Sequence, residues 1–177
     1  MALRKASAYS KRKVVPYTRV SKKRQKSYIK TVPQQRIVKF TMGDRKLLDK
    51  GKLPYQLTAI STEQVQIRHN ALEAARIAAN RFLEKHLGKT NYHLKILVFP
   101  HHVMRHNPQA NFAGADRFSS GMSHAFGKTL GRAAQVSGGQ DVMFARFDEK
   151  NLKKVKDALR RAGNKLPLKW ELDLVKL

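Results

Sequence analysis

Apolar residues recur along most of this chain at the spacing of either helices or strands. The longest helical pattern predicts a helix over Thr62–Leu87, with Ser61 as the capping residue and Gln64 completing a capping box. Gly88 follows as a stop signal. The apolar stripe of this helix repeats at intervals of three and four and consists of Leu72, Ala75, Ala79 and Phe82.

A second helix is predicted over Asn151–Ala162, whose apolar face includes Val155 and Leu159 and which Gly163 ends. Short β-type patterns surround the two helices. They predict strands over Arg36–Phe40 (closed by a turn at Met42–Asp44), Leu53–Ile60, Asn91–Phe99, Gln140–Phe147 and Leu168–Val175. The chain is therefore predicted to be an α+β protein with two main helices against a mixed or antiparallel sheet.

The charge of the chain indicates what kind of partner it has. There are 37 Lys and Arg against 12 Asp and Glu, a formal net charge of +25. Self-repulsion at this charge opposes a compact free protein, whereas a nucleic acid neutralises it and releases counterions. No apolar run approaches the roughly 20 residues of a membrane-spanning helix, so no membrane partner is expected. Cysteine is absent, which excludes disulfides and thiolate metal sites.

Half of the net charge lies near the N-terminus. The first acid is Asp44, and few aliphatic residues occur before Ile29. Residues 1–31 are therefore predicted to be a basic arm that its partner orders, and residues 32–177 to be the folded domain. Tyrosines interleave with the charges and could stack on bases or pack on the domain. The predicted RNA-binding residues of the arm are Arg4, Lys5, Lys11, Arg12, Lys13, Arg19, Lys22, Lys23, Arg24 and Lys26.

Residues 100–139 differ in composition from their surroundings. This segment holds six of the ten glycines and four of the seven histidines, and Asp116 is its only acid. The stretch His106–Ala115 is predicted to be irregular, and a short helix is predicted over Arg117–Phe126. Long irregular segments in compact domains are uncommon and are often functional. We therefore expect a projecting loop whose glycines allow close backbone approach and whose basic residues position phosphates.

Three catalytic or metal-binding chemistries fit this segment poorly. The Gly-Lys-Thr at 127–129 imitates the end of a phosphate-binding loop, but the required first glycine is replaced by Met122. His102 and His106 have the spacing of helical metal ligands, yet no nearby carboxylate or cysteine completes a site. No serine has a nucleophile-elbow context. Catalytic residues, metals and cofactors are therefore not expected.

Several stretches of this sequence carry a family resemblance. They are Leu72–Asn80, Tyr92–Arg105, Ala113–Met122, Phe126–Lys128, Ala133–Val136 and Arg160–Ala162, in that order. Together they resemble the L-ten-e ribosomal proteins of archaea and eukaryotes, the counterparts of bacterial L-sixteen. The resemblance covers roughly residues 4–170, and the Ala-Gly-Ala-Asp-Arg segment at 113–117 is its most specific part. The length of the chain is closer to archaeal members.

The resemblance implies an α/β-hammerhead fold and a structural place on large-subunit ribosomal RNA in the cytoplasmic ribosome. It further implies that a loop at about residues 100–121 reaches toward the peptidyl-transferase centre and the acceptor ends of tRNA. The expected partners are ribosomal RNA, tRNA and neighbouring ribosomal proteins. The residues expected in or beside this loop are His101, His102, Arg105, Asn107, Gly114, Asp116, Arg117, Gly121 and Lys128.

Two alternatives belong to other classes of protein. An RNA-modifying or RNA-processing enzyme should show a cofactor motif or a pair of acids near the basic residues, and residues 100–139 offer one acid. An architectural nucleic-acid-binding protein that reads DNA should show a recognition helix with a dimer seam, and no segment resembles one. We expect no homo-oligomer.

Overall fold

The computed structural model describes residues 7–10, 29, 31–49, 51–107, 113–114, 117, 119, 121 and 127–177. Within that part of the chain the helices are α1 (Ser7–Ser10), α2 (Arg45–Asp49), α3 (His69–Leu87) and α4 (Leu152–Gly163), and a 3₁₀ turn (Glu149–Asn151) precedes α4. The strands are β1 (Thr41–Gly43), β2 (Tyr55–Ser61), β3 (Val65–Arg68), β4 (Tyr92–Ile96), β5 (His102–His106), β6 (Lys128–Val136), β7 (Asp141–Phe147) and β8 (Trp170–Lys176).

These strands form two sheets in which neighbouring strands run antiparallel. The larger sheet has the order β1-β4-β7-β2-β8, and the smaller has the order β3-β6-β5. The chain therefore passes from one sheet to the other several times. The predicted α+β class with antiparallel sheets is confirmed.

The core lies between the five-stranded sheet and the two long helices. Alternate residues of β4, namely Tyr92, Leu94 and Ile96, are buried there together with the apolar stripe of α3. The Tyr92 hydroxyl donates a hydrogen bond to Oδ1 of Asn80 on α3 at 2.8 Å, so its polar end is satisfied. Each large apolar side chain buried in this way contributes about 1.5–3 kcal/mol. The core therefore holds sheet and helices together as one domain.

Most predicted elements of the larger sheet are confirmed. The patterns at Leu53–Ile60, Asn91–Phe99, Gln140–Phe147 and Leu168–Val175 correspond to β2, β4, β7 and β8, with ends that differ by a few residues. The predicted helix over Asn151–Ala162 corresponds to α4. The sequence predicts these elements correctly because each of them buries one face, which leaves a local period in the sequence.

The predicted start of the long helix is wrong. It begins at His69, because Val65–Arg68 forms strand β3 and pairs with β6. The Ser61 hydroxyl donates to the carbonyl of Glu63 at 2.7 Å and does not cap a helix. Val65 and Ile67 are β-branched and buried, and the partner strand that they need lies far along the chain. Tertiary pairing therefore overrides the local capping signal.

The predicted strand at Arg36–Phe40 is also wrong, since the structure has no strand there. The strand lies later, at Thr41–Gly43, where a turn was expected. Ile37 is buried, while the carbonyl of Phe40 accepts a hydrogen bond from the Ile96 amide at 2.8 Å. The isolated bond ties this segment to β4 without making it a strand.

The sequence patterns predicted no strand within residues 100–139, but β5 and β6 lie within this range. The projecting loop expected at 100–121 can therefore begin only after His106. Both strands bury residues in succession, so neither shows a simple alternation. The predicted helix at Arg117–Phe126 lies outside the described residues except at three of its positions.

Gly43 occupies a position that only glycine fits. Its φ is +86°, and a Cβ would overlap the Tyr92 carbonyl oxygen and lie 2.9 Å from its carbonyl carbon. Gly51 also has a positive φ, +65°, but a Cβ there would meet nothing within 4 Å. Substitutions at these two glycines therefore differ in their effects. At Gly51 only backbone strain is added, whereas at Gly43 steric overlap is added as well.

We predict that Gly43→Ala destabilises the fold more than Gly51→Ala. In Gly51→Ala, backbone strain alone should lower the free energy of unfolding by about 1 kcal/mol. In Gly43→Ala, strain and steric overlap together should lower the free energy of unfolding by about 3 kcal/mol or more. Urea denaturation of the two full-length variants measures both values. Equal losses would contradict the described packing of β1 against β4.

Candidate nucleic-acid interface

Strands β5 and β6 bring several predicted loop residues together at the two ends of the segment that connects these strands. Arg105 lies opposite Thr129, and His106 lies opposite Lys128, just after a register irregularity between Met104 and Arg105. Asn107 follows directly, and Lys128 is exposed. We call Arg105, Asn107 and Lys128 the loop mouth. Two elements that are more than twenty residues apart thus place three polar residues at one end of the smaller sheet.

Gly127 determines how closely the two strands approach at the loop mouth. Its φ is +84°, and a Cβ would lie 2.6 Å from the carbonyl carbon of His106 and 2.8 Å from the amide nitrogen of Asn107. A larger residue would push the strands apart. Beside it, Nε of Arg105 is buried and has no hydrogen-bond partner within the described structure. The guanidinium of Arg105 is therefore placed with a donor still unused.

The two neighbouring histidines in the predicted loop set have different environments. His101 is exposed, and its Nδ1 lies 3.1 Å from the carbonyl oxygen of Phe99. His102 is 5% exposed, and burial, followed by the nearby His101, lowers its pKa below the usual value. His102 is therefore held neutral inside the smaller sheet and does not offer a cation to phosphate. His101 can meet a partner directly.

Within the loop, the described residues show one turn. The Arg117 amide donates to the carbonyl of Gly114 at 3.3 Å, and Gly114 and Gly121 have φ of +77° and +59°. Arg117 is exposed. Asp116 lies outside the described residues. The glycines thus allow turns that other residues would resist, as the glycine content of this segment suggested.

The predicted arm is described at only a few residues. Its ten predicted RNA-binding residues, from Arg4 to Lys26, all lie outside the described part of the chain. Helix α1 contacts β3, and Ser10 and Ile29 are 7% and 4% exposed. The N-terminal segment is therefore attached to the smaller sheet at α1 and is buried again at Ile29.

A cluster of guanidinium groups was not anticipated from the sequence. Burial lowers the pKa of His69, and the positive charges of Arg36, Arg132 and Arg68 lower it further. The three arginines, here called the guanidinium cluster, come from the segment before β1, from β6 and from β3. Nε of Arg132 donates to the Pro33 carbonyl at 2.6 Å, which fastens that segment to the smaller sheet.

The guanidinium cluster lies at the start of α3. This helix has no acidic residue in its first turn and no side-chain cap, so its positive N-terminal end adds to the field. The only signal in the sequence is three arginines spread over about a hundred residues. Their convergence depends on the β3–β6 pairing, which the local sequence patterns do not predict.

The helical layer carries further exposed positive charge. The Arg161 guanidinium lies 4.3 Å from the centroid of the Phe82 ring, which in turn lies 4.2 Å from the ring of His86. Nζ of Lys154 donates to the His86 carbonyl at 3.3 Å. These contacts join α3 to α4 and fix two cations at the seam between them.

The described residues contain no arrangement that suggests catalysis or metal binding. They hold no group of three or more His, Asp or Glu side chains close enough to bind a metal ion. A cleft of about 180 Å³ beside Arg68 and Lys165 is smaller than the pockets that usually hold cofactors. Among these residues no helix is long and apolar enough to span a bilayer.

The fold and its charges thus define a basic two-sheet α+β protein whose cations gather at the smaller sheet and the helical layer. The profile of the family described as ribosomal protein L16p/L10e matches residues 15–173. The chain belongs to this family, whose members are structural proteins and not enzymes. The resemblance noted in the sequence is confirmed, and the enzyme alternative is excluded.

Similar proteins match almost the whole chain. The large ribosomal subunit protein uL16 of Staphylothermus marinus is 48% identical over 168 residues, which are 95% of this chain and 91% of the relative. Its counterpart in Methanocella arvoryzae is 44% identical over 97% of this chain and 94% of the relative. That of Hyperthermus butylicus is 42% identical over 100% of this chain and 96% of the relative.

The buried histidines lead to a prediction on pH dependence. The folded-state pKa values of His69 and His102 are lowered, so below about pH 6.5 the unfolded chain binds more protons than the folded protein. The stability from burying these neutral rings is present above about pH 6.5 and is lost as pH falls toward the folded values. Each ring should remove up to about 1.4 kcal/mol per pH unit.

Urea unfolding at about pH 7.5 and about pH 5.5 measures this loss. The double variant His69→Gln with His102→Gln should lose less stability between these two pH values than the unchanged protein. The comparison uses only the change in stability between the two pH values, so it does not depend on how stable the variant is at either one. An identical pH dependence in both proteins would contradict the assigned burial of the rings.

Proposed function

We propose that this protein is a structural constituent of the large ribosomal subunit and acts in the cytoplasm by binding large-subunit ribosomal RNA. Its family and the names of its relatives support the proposal that it belongs to the large subunit. The observation that carries the RNA proposal is the guanidinium cluster. Arg36 is exposed, and Arg68 and Arg132 are half-buried, so a partly enclosed positive surface faces outward beside the N-terminus of α3. Phosphates bind such surfaces strongly.

The basic arm extends this interface in the proposal. Its ten predicted residues, Arg4 to Lys26, would add positive charge to the interface, and α1, which lies between Lys5 and Lys11 along the chain, contacts β3. A segment rich in Lys and Arg can follow a folded RNA into places that the domain cannot enter. The attachment at α1 and Ile29 would determine where the arm leaves the domain. The division of the chain into an arm of residues 1–31 and a domain of residues 32–177 is part of this proposal.

The finer part of the proposal concerns the loop. We infer that the segment after the loop mouth lies near the peptidyl-transferase centre and helps to position the acceptor ends of tRNA. Arg105, Asn107 and Lys128 would hold its base, while His101, Arg117 and the glycines at 114 and 121 would approach RNA. Asp116 belongs to the same proposed set. The unused Nε donor of Arg105 supports a partner at this position. Peptide-bond chemistry would belong to the RNA.

The α/β-hammerhead description is part of the same proposal. The antiparallel sheets and the long helices are compatible with it. A structure with two sheets separates the packed core from the surface that carries the loop. Such an arrangement suits a protein that must hold a loop beside a site built from RNA.

We predict that changing Arg36 and Arg68 together to Gln weakens binding to purified large-subunit ribosomal RNA. The slope of log affinity against log salt should fall by about 0.7–0.9 for each phosphate that the variant no longer neutralises. The matched control changes Arg45 and Lys46 to Gln, where Asp44 and Asp49 offset the local charge. Filter binding at several salt concentrations measures the slopes. Equal slopes in the two double variants would contradict the proposed interface.

We also predict that the loop affects translation more than assembly. Deleting residues 108–113 keeps Asn107, whose backbone Gly127 contacts, and should leave incorporation into subunits unchanged. Translation by those subunits should fall about tenfold, because small misplacements of reacting groups strongly reduce rates. Arg105→Gln should act in the same direction, with exposed Lys150→Gln as its control.

Sedimentation on sucrose gradients measures incorporation, and peptide synthesis by the isolated subunits measures translation. Normal synthesis by subunits that carry the deletion would exclude the loop from tRNA positioning. Failure of the deletion variant to enter subunits would show that the loop acts in assembly instead.

A further inference from the structure

One edge of the five-stranded sheet is regular and open along its length. Within the described residues, β8 is the last strand of that sheet and pairs only with β2, over all seven of its residues and without a register shift. The bonding to β2 continues past both ends. The Thr62 amide donates to the Lys169 carbonyl at 3.2 Å, and the Leu177 amide donates to the Pro54 carbonyl at 2.8 Å. One side of β8 is therefore firmly held.

The other side of β8 presents backbone groups that no strand uses. In an antiparallel pair, residues whose amide and carbonyl face the partner alternate with residues whose groups face away. The two end bonds assign Lys169 and Leu177 to the first kind, and with them every second residue between. The backbone groups that face away from β2 are those of Trp170, Leu172, Leu174 and Lys176. In the described part of the chain no other strand lies beside them.

The remaining edge strands of the described sheets are short or covered. Strand β1 has three residues, β3 is mostly buried and contacts α1, and the first three of the five residues of β5 are buried. In β8, by contrast, five of seven residues are exposed, and Leu174 and Val175 are 42% and 41% exposed. Proteins usually shorten, interrupt or cover such an edge, because it can pair with another strand. The exposed β8 therefore indicates a partner.

The middle of this edge is negative, although the protein as a whole is strongly positive. Glu171 and Asp173 are exposed and lie on the face opposite the helices, because they alternate with Leu172, which packs against the core. Ile60 of β2 lies opposite both Glu171 and exposed Asp141 of β7. Three carboxylates thus gather at this end of the sheet.

Bases along β8 occur only at its two ends. Exposed Lys169 precedes the strand, and Lys176 ends it, with Nζ 5.9 Å from the centroid of the Tyr55 ring. Phosphates that approached the middle of the edge would meet carboxylates, so the local charge disfavours RNA there. A positively charged peptide is attracted at the same place. The edge therefore suits a different kind of partner from the guanidinium cluster.

We propose that β8 binds an extended, basic segment of another protein, which adds a strand to the five-stranded sheet. The backbone of this segment bonds to the amides and carbonyls of Leu172 and Leu174. On an added antiparallel strand, the residues opposite Glu171 and Asp173 form the pairs without hydrogen bonds, in which side chains are closest. Lys or Arg at these alternate positions pairs with the acids, and apolar residues between them cover exposed Leu174.

A second copy of this chain fits the edge poorly. Two β8 strands that pair antiparallel about Asp173, the middle residue, place the two Asp173 side chains opposite each other. Pairing about Leu172 places Glu171 opposite Asp173. Like charges directly opposite each other are destabilising. The inference thus goes beyond the proposed RNA binding, because it concerns a protein partner and lies on the other sheet from the guanidinium cluster and the loop mouth.

The test measures amide hydrogen exchange by NMR in the full-length protein. In the free protein, the amides of Leu172 and Leu174 should exchange faster than those of Glu171, Asp173 and Val175, which bond to β2. The probe is a synthetic peptide as long as β8 in which Val alternates with Lys. At saturation it should slow exchange at Leu172 and Leu174 by at least about tenfold. A peptide with Glu in place of Lys should leave them unchanged.

Salt of about 0.15 M screens the repulsion between the Val-Lys peptide and the rest of this positive protein. Leu174→Pro removes an amide that faces away from β2, where an edge strand tolerates proline, and should abolish the slowing at Leu172. Urea unfolding checks the fold of this variant. If it does not fold, the charge variant described next decides the result.

The charge variant combines Glu171→Gln with Asp173→Asn. It should bind the Val-Lys peptide at least about fivefold more weakly, because two cross-strand ion pairs are lost. The matched control combines Glu63→Gln with Glu84→Gln, which removes two exposed acids away from β8. The control should bind the peptide as the unchanged protein does. Equal affinities of the charge variant and the control would contradict the role of the acids.

Four outcomes would overturn the proposal. They are no slowing by the Val-Lys peptide, equal slowing by the Glu peptide, slowing by single-stranded RNA in place of the peptide, and protection of Leu172 and Leu174 in a dimer of the protein alone. Sedimentation equilibrium detects such a dimer. The proposed binding of ribosomal RNA is measured separately by filter binding, so the two proposals can fail independently.

Discussion

Positive charges repel each other in a chain with 37 Lys and Arg against 12 Asp and Glu, and the fold depends on keeping them out of its core. Among the described residues, the buried polar side chains are hydroxyls, an amide and histidines, with no Lys, Arg, Asp or Glu. The pKa values of His69 and His102 are lowered by burial, so these rings stay neutral inside the protein. The repulsion that remains lies at the surface, where a polyanion can remove it.

One acid shows how the few negative charges are used. Glu73 on α3 accepts two hydrogen bonds from the Arg76 guanidinium, at 2.6 and 2.8 Å, and one from the Val38 amide at 3.3 Å. The hydrogen bonds from Arg76 are the main reason why the pKa of Glu73 is lowered. Arg76 also reaches the sulfur of Met42 at 3.3 Å. A single carboxylate thus fastens the segment before β1, which carries Arg36 and Phe40, to the long helix.

The two sheets have different roles in the domain. The five-stranded sheet and the helices form the core. The smaller sheet holds the loop mouth and the guanidinium cluster and contacts α1. Glycines act where strands meet closely, as Gly127 does against His106. The proposed RNA contacts would thus lie away from the packing that positions them.

The sequence by itself determined the α+β class, α4, the strands of the larger sheet, the polyanionic partner and the family, because alternation, charge and motifs are local properties. It also predicted Arg105, Lys128 and the glycines of the loop to be near RNA, which stays a prediction. Only the tertiary structure decided that Val65–Arg68 is a strand, where α3 begins, and which arginines lower the pKa of His69. It also decided that Arg146 lies over Phe144. These features depend on which residues of distant strands lie opposite each other. That register is set when both strands are buried together, so the sequence of neither strand alone reveals it.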